Sequence, residues 1–432
     1  MKKVISLALT LCLIFSMAFF CSMPSAADSG KYKGQGKSLA ELSSAWLAVK
    51  LLEVPDTFVT EPNYTTAPYA AGELSPATQD YATAYLNFAR YLAGVKSVKW
   101  TTEGAKYAQA AAVLNRSKGS TYLSHSPGQP DGMDQDLYVA GLRGSAWSNL
   151  SRGYSSIYDA IGTGWLNDSS ESNISNVGHR CNFLSPTLPS AGFGRADKHY
   201  AGISLDVEFN NDFMWELNKY RGTIMYPAPG YFPIQALPNG SAGGAAWSIQ
   251  FDRTYSMDNS DFIVTVNNRT KDEITTLTES DQDKVGKYLN KPHNDIKDLK
   301  YSASTSLGMI SFRVSTAALQ VGDEYTITVS GIKNRDNEAL PNITYDVCLV
   351  DMNNLPPLTP NMKGDVDADD EINASDAALA LRIITGNASA TEKQLWAARV
   401  EADDTAAPTV TDALLILKKS LGLLNKFPAE SN

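Results

Sequence analysis

The feature that most constrains this chain is an internal repeat near its C-terminal end. Each copy is an acidic stretch that leads into an amphipathic helical segment. Asp376 and Gly386 of the first copy match Asp412 and Gly422 of the second, which is an offset of 36 residues. Closely spaced carboxylates repel one another unless a cation binds between them. The repeat therefore predicts a small module built from two related loop–helix units.

The first copy has the spacing of a calcium-binding loop. Such a loop surrounds one hard cation with carboxylates at positions 1, 3, 5 and 12 and a backbone carbonyl at position 7. The residues at positions 1, 3, 5, 7 and 12 are Asp365, Asp367, Asp369, Glu371 and Asp376. Position 6 is usually glycine and is Asp370 here, which tolerates a left-handed backbone better than most residues. We expect a calcium site in this loop.

The second copy retains fewer of these oxygens. At the same spacing, the residues at positions 1, 3, 5 and 12 are Glu401, Asp403, Thr405 and Asp412. A threonine hydroxyl is a neutral ligand, and Pro408 removes a backbone amide from the loop. We expect a second, degenerate calcium site that binds more weakly, or one completed by other oxygens such as those of Asp404.

Two such repeats, each followed by a helix like Ala413-Leu-Leu-Ile-Leu-Lys-Lys419, resemble a type I dockerin over residues 362–426. The resemblance implies a small helical module with two EF-hand-like calcium loops that binds a cohesin domain of a scaffoldin. It thus implies a cellulosome, a cell-surface multi-enzyme complex associated with polysaccharide breakdown. The cohesin contacts that it implies are Ala374, Ser375, Arg382, Val410, Thr411 and Lys418.

The N-terminus predicts export. Within residues 1–27, Lys2 and Lys3 precede an apolar run, and Ser25-Ala26-Ala27 offers small residues at a cleavage site. The alternative is an uncleaved membrane anchor, because the apolar run is nearly long enough to span a bilayer. We favour cleavage and secretion. Removal of two lysines leaves 35 basic and 47 acidic residues, a net charge of −12. This charge argues against nucleic acid and anionic membrane as partners.

The remaining sequence divides by composition into several domains. Apolar residues at helical spacing predict an α/β domain, short alternating runs predict a β-sandwich, and prolines mark a linker. The predicted segments are a signal peptide at 1–27, an N-terminal extension at 28–74, the α/β domain at 75–222, the β-sandwich at 223–352, the linker at 353–361 and the repeat module at 362–426. Cys181 and Cys348 are expected to be buried thiols rather than a disulfide.

Local signals locate several elements. Ser75 followed by Pro76 predicts a helix start, and Gly94 predicts its end. A second helix is expected from Thr102 to Leu114. Further helical stretches are expected around Asn149 to Trp165, and short strands from Ala191 to Val207.

Residues 75–210 carry an ordered set of motifs that resembles the CAP superfamily (sperm-coating, antigen 5 and pathogenesis-related proteins). The motifs are Leu86-Asn87-x-x-Arg90, Gly94-Val95, Trp100, Asn149-Leu150-x-x-Gly153, Trp165, the run from Gly178-His179-Arg180 to Pro186, and Ala191-Gly192-Phe193-Gly194. The resemblance implies an α-β-α sandwich with a cleft. We therefore expect a multi-domain chain in which this α/β sandwich precedes an Ig-like all-β sandwich and a small helical dockerin.

The resemblance also implies a set of cleft residues. The cleft of the family gathers two histidines and two glutamates, and these positions are His125, His179, Ser148 and Asp168 here, with Glu171 as a substitute for Asp168. Two imidazoles with one carboxylate and a hydroxyl hold a divalent metal weakly, so a zinc site is disfavoured. Asn149 is expected to order the cleft by hydrogen bonding.

Two functions remain open for the α/β domain. It could be a ligand-binding or accessory module for a small ligand, peptide, lipid or cell-wall component, tethered by the C-terminal repeat. Alternatively, it could be an extracellular hydrolase of peptides or polysaccharides that uses His125, His179 and Asp168 for acid–base chemistry. We favour the first, because the sequence has no serine elbow and lacks one acid of a glycosidase-type pair.

Overall fold

The structure of the chain is a computed structural model. It describes residues 36–37, 39–168, 173, 176–204, 222–237, 246–278, 301–304, 308–314, 319–354, 362–368, 371–402 and 407–430. The predicted signal peptide, residues 355–361 of the linker, Glu171, Asp369, Asp370 and residues 403–406 lie outside this part of the chain. Among the described residues, no helix has the length and apolar character needed to cross a bilayer.

The chain forms two compact units. One comprises Leu52–Val350, and the other joins Met1–Leu51 to Asp351–Asn432. The predicted N-terminal extension is therefore divided between them. The structure is a mixture of helices and sheets, which is compatible with a multi-domain α/β chain.

Eight α-helices of six or more residues occur in the described part of the chain. They are α1 (Leu39–Leu51), α2 (Pro76–Leu92), α3 (Thr102–Ser117), α4 (Gln135–Trp147), α5 (Gly178–Phe183), α6 (Ala374–Ile384), α7 (Glu392–Ala398) and α8 (Val410–Ser420). A short helical turn, Ile157–Asp159, continues as a π-helix over Ala160–Leu166.

The strands of the larger unit form four sheets in the described part of the chain. The strands are β1 (Phe58–Thr60), β2 (Glu73–Leu74), β3 (Ser148–Arg152), β4 (Phe193–Ala196), β5 (His199–Ile203), β6 (Thr223–Tyr226), β7 (Gly230–Pro233), β8 (Trp247–Phe251), β9 (Ile263–Asn268), β10 (Glu273–Leu277), β11 (Tyr301–Ser304), β12 (Met309–Phe312), β13 (Glu324–Ser330) and β14 (Ile343–Val350). The sheet orders are β1-β2, β3-β5-β4, β11-β12-β8-β6 and β10-β9-β13-β14-β7.

Local capping explains where α2 and α3 begin. The Ser75 hydroxyl accepts the Thr78 amide at 3.1 Å, and the Thr101 hydroxyl accepts the Gly104 amide at 3.0 Å. Each bond satisfies one of the amides that a first helical turn leaves open. Both predicted helices are confirmed, and α2 ends two residues before Gly94, which has the left-handed φ of 72°.

One predicted helical stretch is wrong. Asn149 lies in strand β3 rather than in a helix, and Asn149 pairs with Gly202 of β5. Helical structure begins only at Ile157. The antiparallel pairing supplies backbone hydrogen bonds that the local sequence does not reveal, so tertiary context overrides helix propensity here.

The β-rich part consists of two antiparallel-dominated sheets that contact each other through aromatic side chains. Trp247 lies on β8 of one sheet and Tyr325 on β13 of the other, and their rings meet edge to face with centroids 5.2 Å apart. Along β13, buried and half-buried residues alternate, as expected for a strand with one face toward a core. Among the described strands of these two sheets, β14 and β7 form the one parallel pair.

A buried guanidinium links the α/β part to the β-rich part. Arg180 of α5 donates to the carbonyls of Leu166 and Asn167, and also to the Ala246 carbonyl at 2.7 Å and the Ser248 hydroxyl at 3.0 Å. Burial without a carboxylate partner at these contacts lowers its pKa. The β-rich region therefore packs on the α/β region within one unit.

The smaller unit has its own apolar core. Helices α6 and α8 pack against each other, and the core includes Val366, Ile416 and Phe427, all fully buried. Leu47 of α1 packs against the same cluster. The unit thus combines the C-terminal repeat with a helix from the predicted N-terminal extension.

Helices α3 and α4 approach so closely that glycine is required at their contact. A Cβ built on Gly144 would overlap the backbone carbonyl of Tyr107. We predict that Gly144→Ala destabilises the larger unit by about 1–3 kcal/mol, because overpacking forces backbone shifts. Calorimetric unfolding measures this. Gly128→Ala is the control, since a Cβ there meets nothing within 4 Å. Equal melting temperatures for both variants would contradict the prediction.

Candidate functional site

Three aspartates of the first repeat converge in the interior of the smaller unit. Asp365, Asp367 and Asp376 are each at most 1 % exposed, and their ligand oxygens lie within 4.8 Å of one another. Among the described residues, no other group of three or more histidine, cysteine, aspartate or glutamate ligands is so close. Buried carboxylates at this separation repel strongly, so a metal ion could bind between them.

Asp376 occupies its position because it begins helix α6. The side chain of Asn373 caps the helix by accepting the Ser375 amide, and Oδ2 of Asp376 accepts the Asn373 amide at 2.8 Å. Oδ1 of Asp376 accepts the amides of Val366 and Asp367 at 2.6 and 3.1 Å. One carboxylate therefore both caps the helix and closes the preceding loop.

A hydroxyl from helix α1 also reaches this cluster. Oγ of Ser44 donates to Oδ2 of Asp367 at 3.1 Å. Ser44 could not be predicted, because the repeat motif contains no signal for a residue more than three hundred positions away. Leu42, Trp46 and Val49 are spaced as the buried side of a helix, but this spacing does not indicate what the helix packs against.

In the second repeat, the aspartate in the first turn of the helix also accepts backbone amides of the preceding loop. Oδ1 of Asp412 accepts the amides of Val400 and Glu401 at 2.7 and 2.8 Å, and Oδ2 accepts the Thr409 amide at 2.7 Å. The Glu401 carboxylate accepts the Thr409 hydroxyl at 2.6 Å. Asp403 and Thr405 lie outside the described residues. Within the described part, no second ligand group forms around Asp412.

The residues that the dockerin resemblance implies for cohesin contact differ in exposure between the repeats. In the first repeat, Ala374 and Ser375 are half-buried and Arg382 is only 8 % exposed. In the second, Val410, Thr411 and Lys418 are exposed, and 59 % of Val410 is accessible. The two copies therefore present different surfaces at equivalent positions.

In the larger unit, His179 and Asp168 form a hydrogen-bonded pair. Nδ1 of His179 donates to Oδ1 of Asp168 at 2.9 Å, and Oδ2 accepts the His179 amide at 2.8 Å. Asp168 is fully buried and has a left-handed φ of 49°. The amide of Asn173 also contacts Nδ1, at 3.2 Å. A carboxylate that holds an imidazole in this way fixes its tautomer and orientation.

Among the described residues, His125 and Ser148 make no hydrogen bond to this pair, whereas Asn149 does. Nδ1 of His125 donates to the carbonyl of Ser145 at 2.7 Å, and His125 is exposed. Asn149 donates to the His179 carbonyl at 2.9 Å, which fits its expected ordering role. Side chains alternate along β3, so Ser148 points to the opposite face of the strand from Asn149. The Ser148 hydroxyl is buried and makes no hydrogen bond among the described residues.

Cys181 does not provide a nucleophile beside His179. Cys181 and Cys348 are both buried thiols rather than a disulfide pair, as predicted. Burial raises the pKa of the Cys181 thiol to about 12, and its sulfur contacts the sulfur of Met309 at 3.2 Å. A thiol that stays protonated in an apolar environment is inert as a nucleophile.

Comparison with protein-family models and with curated proteins finds no match for this chain. The dockerin and CAP resemblances therefore rest on the sequence motifs alone.

The burial of His199 predicts that the stability of the larger unit depends on pH. Its Nε2 donates to the Tyr122 carbonyl at 2.8 Å, and burial lowers its pKa below the ordinary value of 6.5. The unfolded chain then binds a proton that the folded chain resists, so this contribution is present above about pH 6.5 and is lost as the pH falls.

We therefore predict that acidification from about pH 7.5 to about pH 5 lowers the melting temperature of the wild type more than that of His199→Gln. Glutamine keeps a donor for the Tyr122 carbonyl but does not titrate. The exposed His125→Gln is the matched control and should follow the wild type. Identical acid losses in all three proteins would show that His199 does not contribute.

Proposed function

We propose that this chain is an exported component of a cellulosome-type assembly. Its C-terminal repeat binds calcium in the first loop and docks to a scaffoldin cohesin, and the CAP-like α/β region serves as a ligand-binding or accessory module. The observation that carries the proposal is the buried triad of Asp365, Asp367 and Asp376 within a duplicated loop–helix module. The finer fold assignments, a CAP-like sandwich, an Ig-like β-sandwich and a dockerin, belong to the same proposal.

The chemistry of the triad favours calcium over other metals. All three side chains offer carboxylate oxygens, and no imidazole or thiolate joins them among the described residues. Hard cations prefer oxygen, whereas zinc sites usually include histidine or cysteine. The sequence adds Asp369 at position 5 and the Glu371 carbonyl at position 7, which would raise the oxygen count toward the six to eight that calcium takes.

The exposed surface of helix α8 supports a docking role. Val410, Leu414 and Leu421 recur on one side of the helix and are about half or more exposed, with Lys418 between them. Large apolar side chains on a helix surface are typical of a protein–protein contact. This surface includes Val410 and Lys418, two of the six residues that the dockerin resemblance implies for cohesin binding.

The proposal predicts calcium-dependent capture on type I cohesin domains. The full exported chain should bind immobilised type I cohesins in calcium and elute with a chelator, because loss of the ion leaves three carboxylates to repel one another. Asp376→Asn should lose at least about tenfold in affinity, which biosensor binding measures. The exposed Asp131→Asn is the matched control and should bind like the wild type. Capture that is equal with and without chelator would refute the calcium-dependent docking role.

A second function, extracellular hydrolysis of peptides or polysaccharides, has one observation in its favour. The buried Asp168 orients the His179 imidazole, which is the arrangement of a general base and its positioning group. We expect any cleavage of a peptide and glycan library to disappear in His179→Ala, as measured by mass spectrometry. His125→Ala tests whether the second histidine takes part. Cleavage that persists in His179→Ala would place the chemistry elsewhere, and no cleavage by the wild type would leave the binding role.

A further inference from the structure

We propose that the C-terminal module holds one divalent cation rather than two, because its second loop is built differently and closes without a metal. The inference rests on the proposed calcium function of the first loop. It concerns the second loop, where the sequence spacing predicts a weakened site of the same design.

The hydrogen bonds of the two position-12 aspartates reveal the difference. Asp376 accepts the amides of Val366 and Asp367, whereas Asp412 accepts those of Val400 and Glu401. From Val366 to Val400 the offset is 34 residues, but from Asp376 to Asp412 it is 36. The second loop therefore contains two additional residues between its buried valine and its helix.

Further contacts support this equivalence of the two valines. Val366 and Val400 are both fully buried, and each carbonyl accepts a hydrogen bond from a more C-terminal segment. The donors are the Gln394 side chain at 3.2 Å and the Ala429 amide at 3.1 Å.

The sequence agrees with the shifted alignment. Val366 is followed by Asp-Ala-Asp-Asp, and Val400 by Glu-Ala-Asp-Asp. At the helix start, Asn373 and Thr409 act as equivalent caps at the 36-residue offset. The two extra residues therefore fall after Asp404 and before Thr409, in a stretch that contains Ala406, Ala407 and Pro408.

The shift changes the donor set of the second loop. The residue equivalent to Asp365 is Arg399 rather than Glu401, so position 1 carries a guanidinium instead of a carboxylate. A fixed cation at a ligand position repels a divalent ion and offers it no oxygen. A second cation is nearby, because Nζ of Lys363 donates to the Arg399 carbonyl at 2.8 Å.

The acid that takes the place of Asp367 already has a local partner. This residue is Glu401, and its carboxylate accepts the Thr409 hydroxyl. Asp412 accepts three backbone amides, which offset the cost of its burial without a metal. The first loop differs because two further buried carboxylates converge on Asp376.

Calorimetric titration of the metal-stripped full chain with calcium alone tests the inference. We expect a stoichiometry of one ion. Asp367→Asn should weaken binding by about tenfold or more. The matched variant Glu401→Gln, which removes the equivalent carboxylate of the second loop, should leave both the stoichiometry and the affinity unchanged within about twofold. Far-ultraviolet circular dichroism in excess calcium confirms that each variant retains its helices.

The number of calcium ions bound per chain distinguishes this inference from the proposed function. Two ions in the wild type, with one lost in Glu401→Gln, would overturn the single-ion inference and leave the calcium function standing. If the wild type binds a single ion that disappears in Glu401→Gln but persists in Asp367→Asn, the ion lies in the second loop. That outcome would also overturn the inference. No bound ion in the wild type would overturn the calcium function, and the single-ion inference with it.

Discussion

The need to satisfy buried carboxylates governs both units of this protein. Asp168, Asp376 and Asp412 are at most 2 % exposed, and each accepts backbone amides next to a helix start. Burial of an isolated charge costs roughly several kcal/mol, and this cost is offset only where donors surround it. Asp168 accepts an amide from the first turn of α5, whereas Asp376 and Asp412 lie in the first turn of their own helices and accept amides of the preceding loop. The helix starts of α5, α6 and α8 and the loops before them are therefore coupled to these three side chains.

Elements with local signals could be predicted from the sequence. The caps at Ser75 and Thr101 lie next to the helices that they begin, and the strand-like runs around Trp247 and Tyr325 alternate as strands do. Asn149 was predicted wrongly because its strand depends on pairing with β5, some fifty residues later. The contact between Ser44 and Asp367 could not be predicted for the same reason, since it joins opposite ends of the chain. Local capping and periodicity carry no information about such distant partners.

In the candidate sites too, features with a local sequence signal could be predicted, and features that depend on distant partners could not. The spacing of Asp365, Asp367 and Asp376 predicts a cluster, and the structure brings the three together. In the second repeat, Asp412 and its helix match the first copy at an offset of 36 residues. Applying the same offset to the preceding loop assumes that neither loop contains an insertion. The amides that Asp412 accepts reveal two additional residues in this loop, and the sequence around Val400 agrees with that shift. In the α/β region, the motif order predicts His179 and Asp168, but the side of β3 on which Ser148 lies depends on the register of the sheet.

Comparison of the repeats separates what the fold requires from what an ion requires. Both copies have a polar cap, Asn373 or Thr409, and an aspartate three residues later that bonds back to the loop. These shared features are sufficient to begin the helix and to position the preceding valine in the core, because they satisfy the backbone of the loop. The ligand oxygens of Asp365 and Asp367 lie within 4.8 Å of those of Asp376, so a cation bound among the three would relieve their mutual repulsion in the first copy. In the second copy Arg399 takes the place of Asp365, and it is compatible with the same backbone hydrogen bonds to the position-12 aspartate.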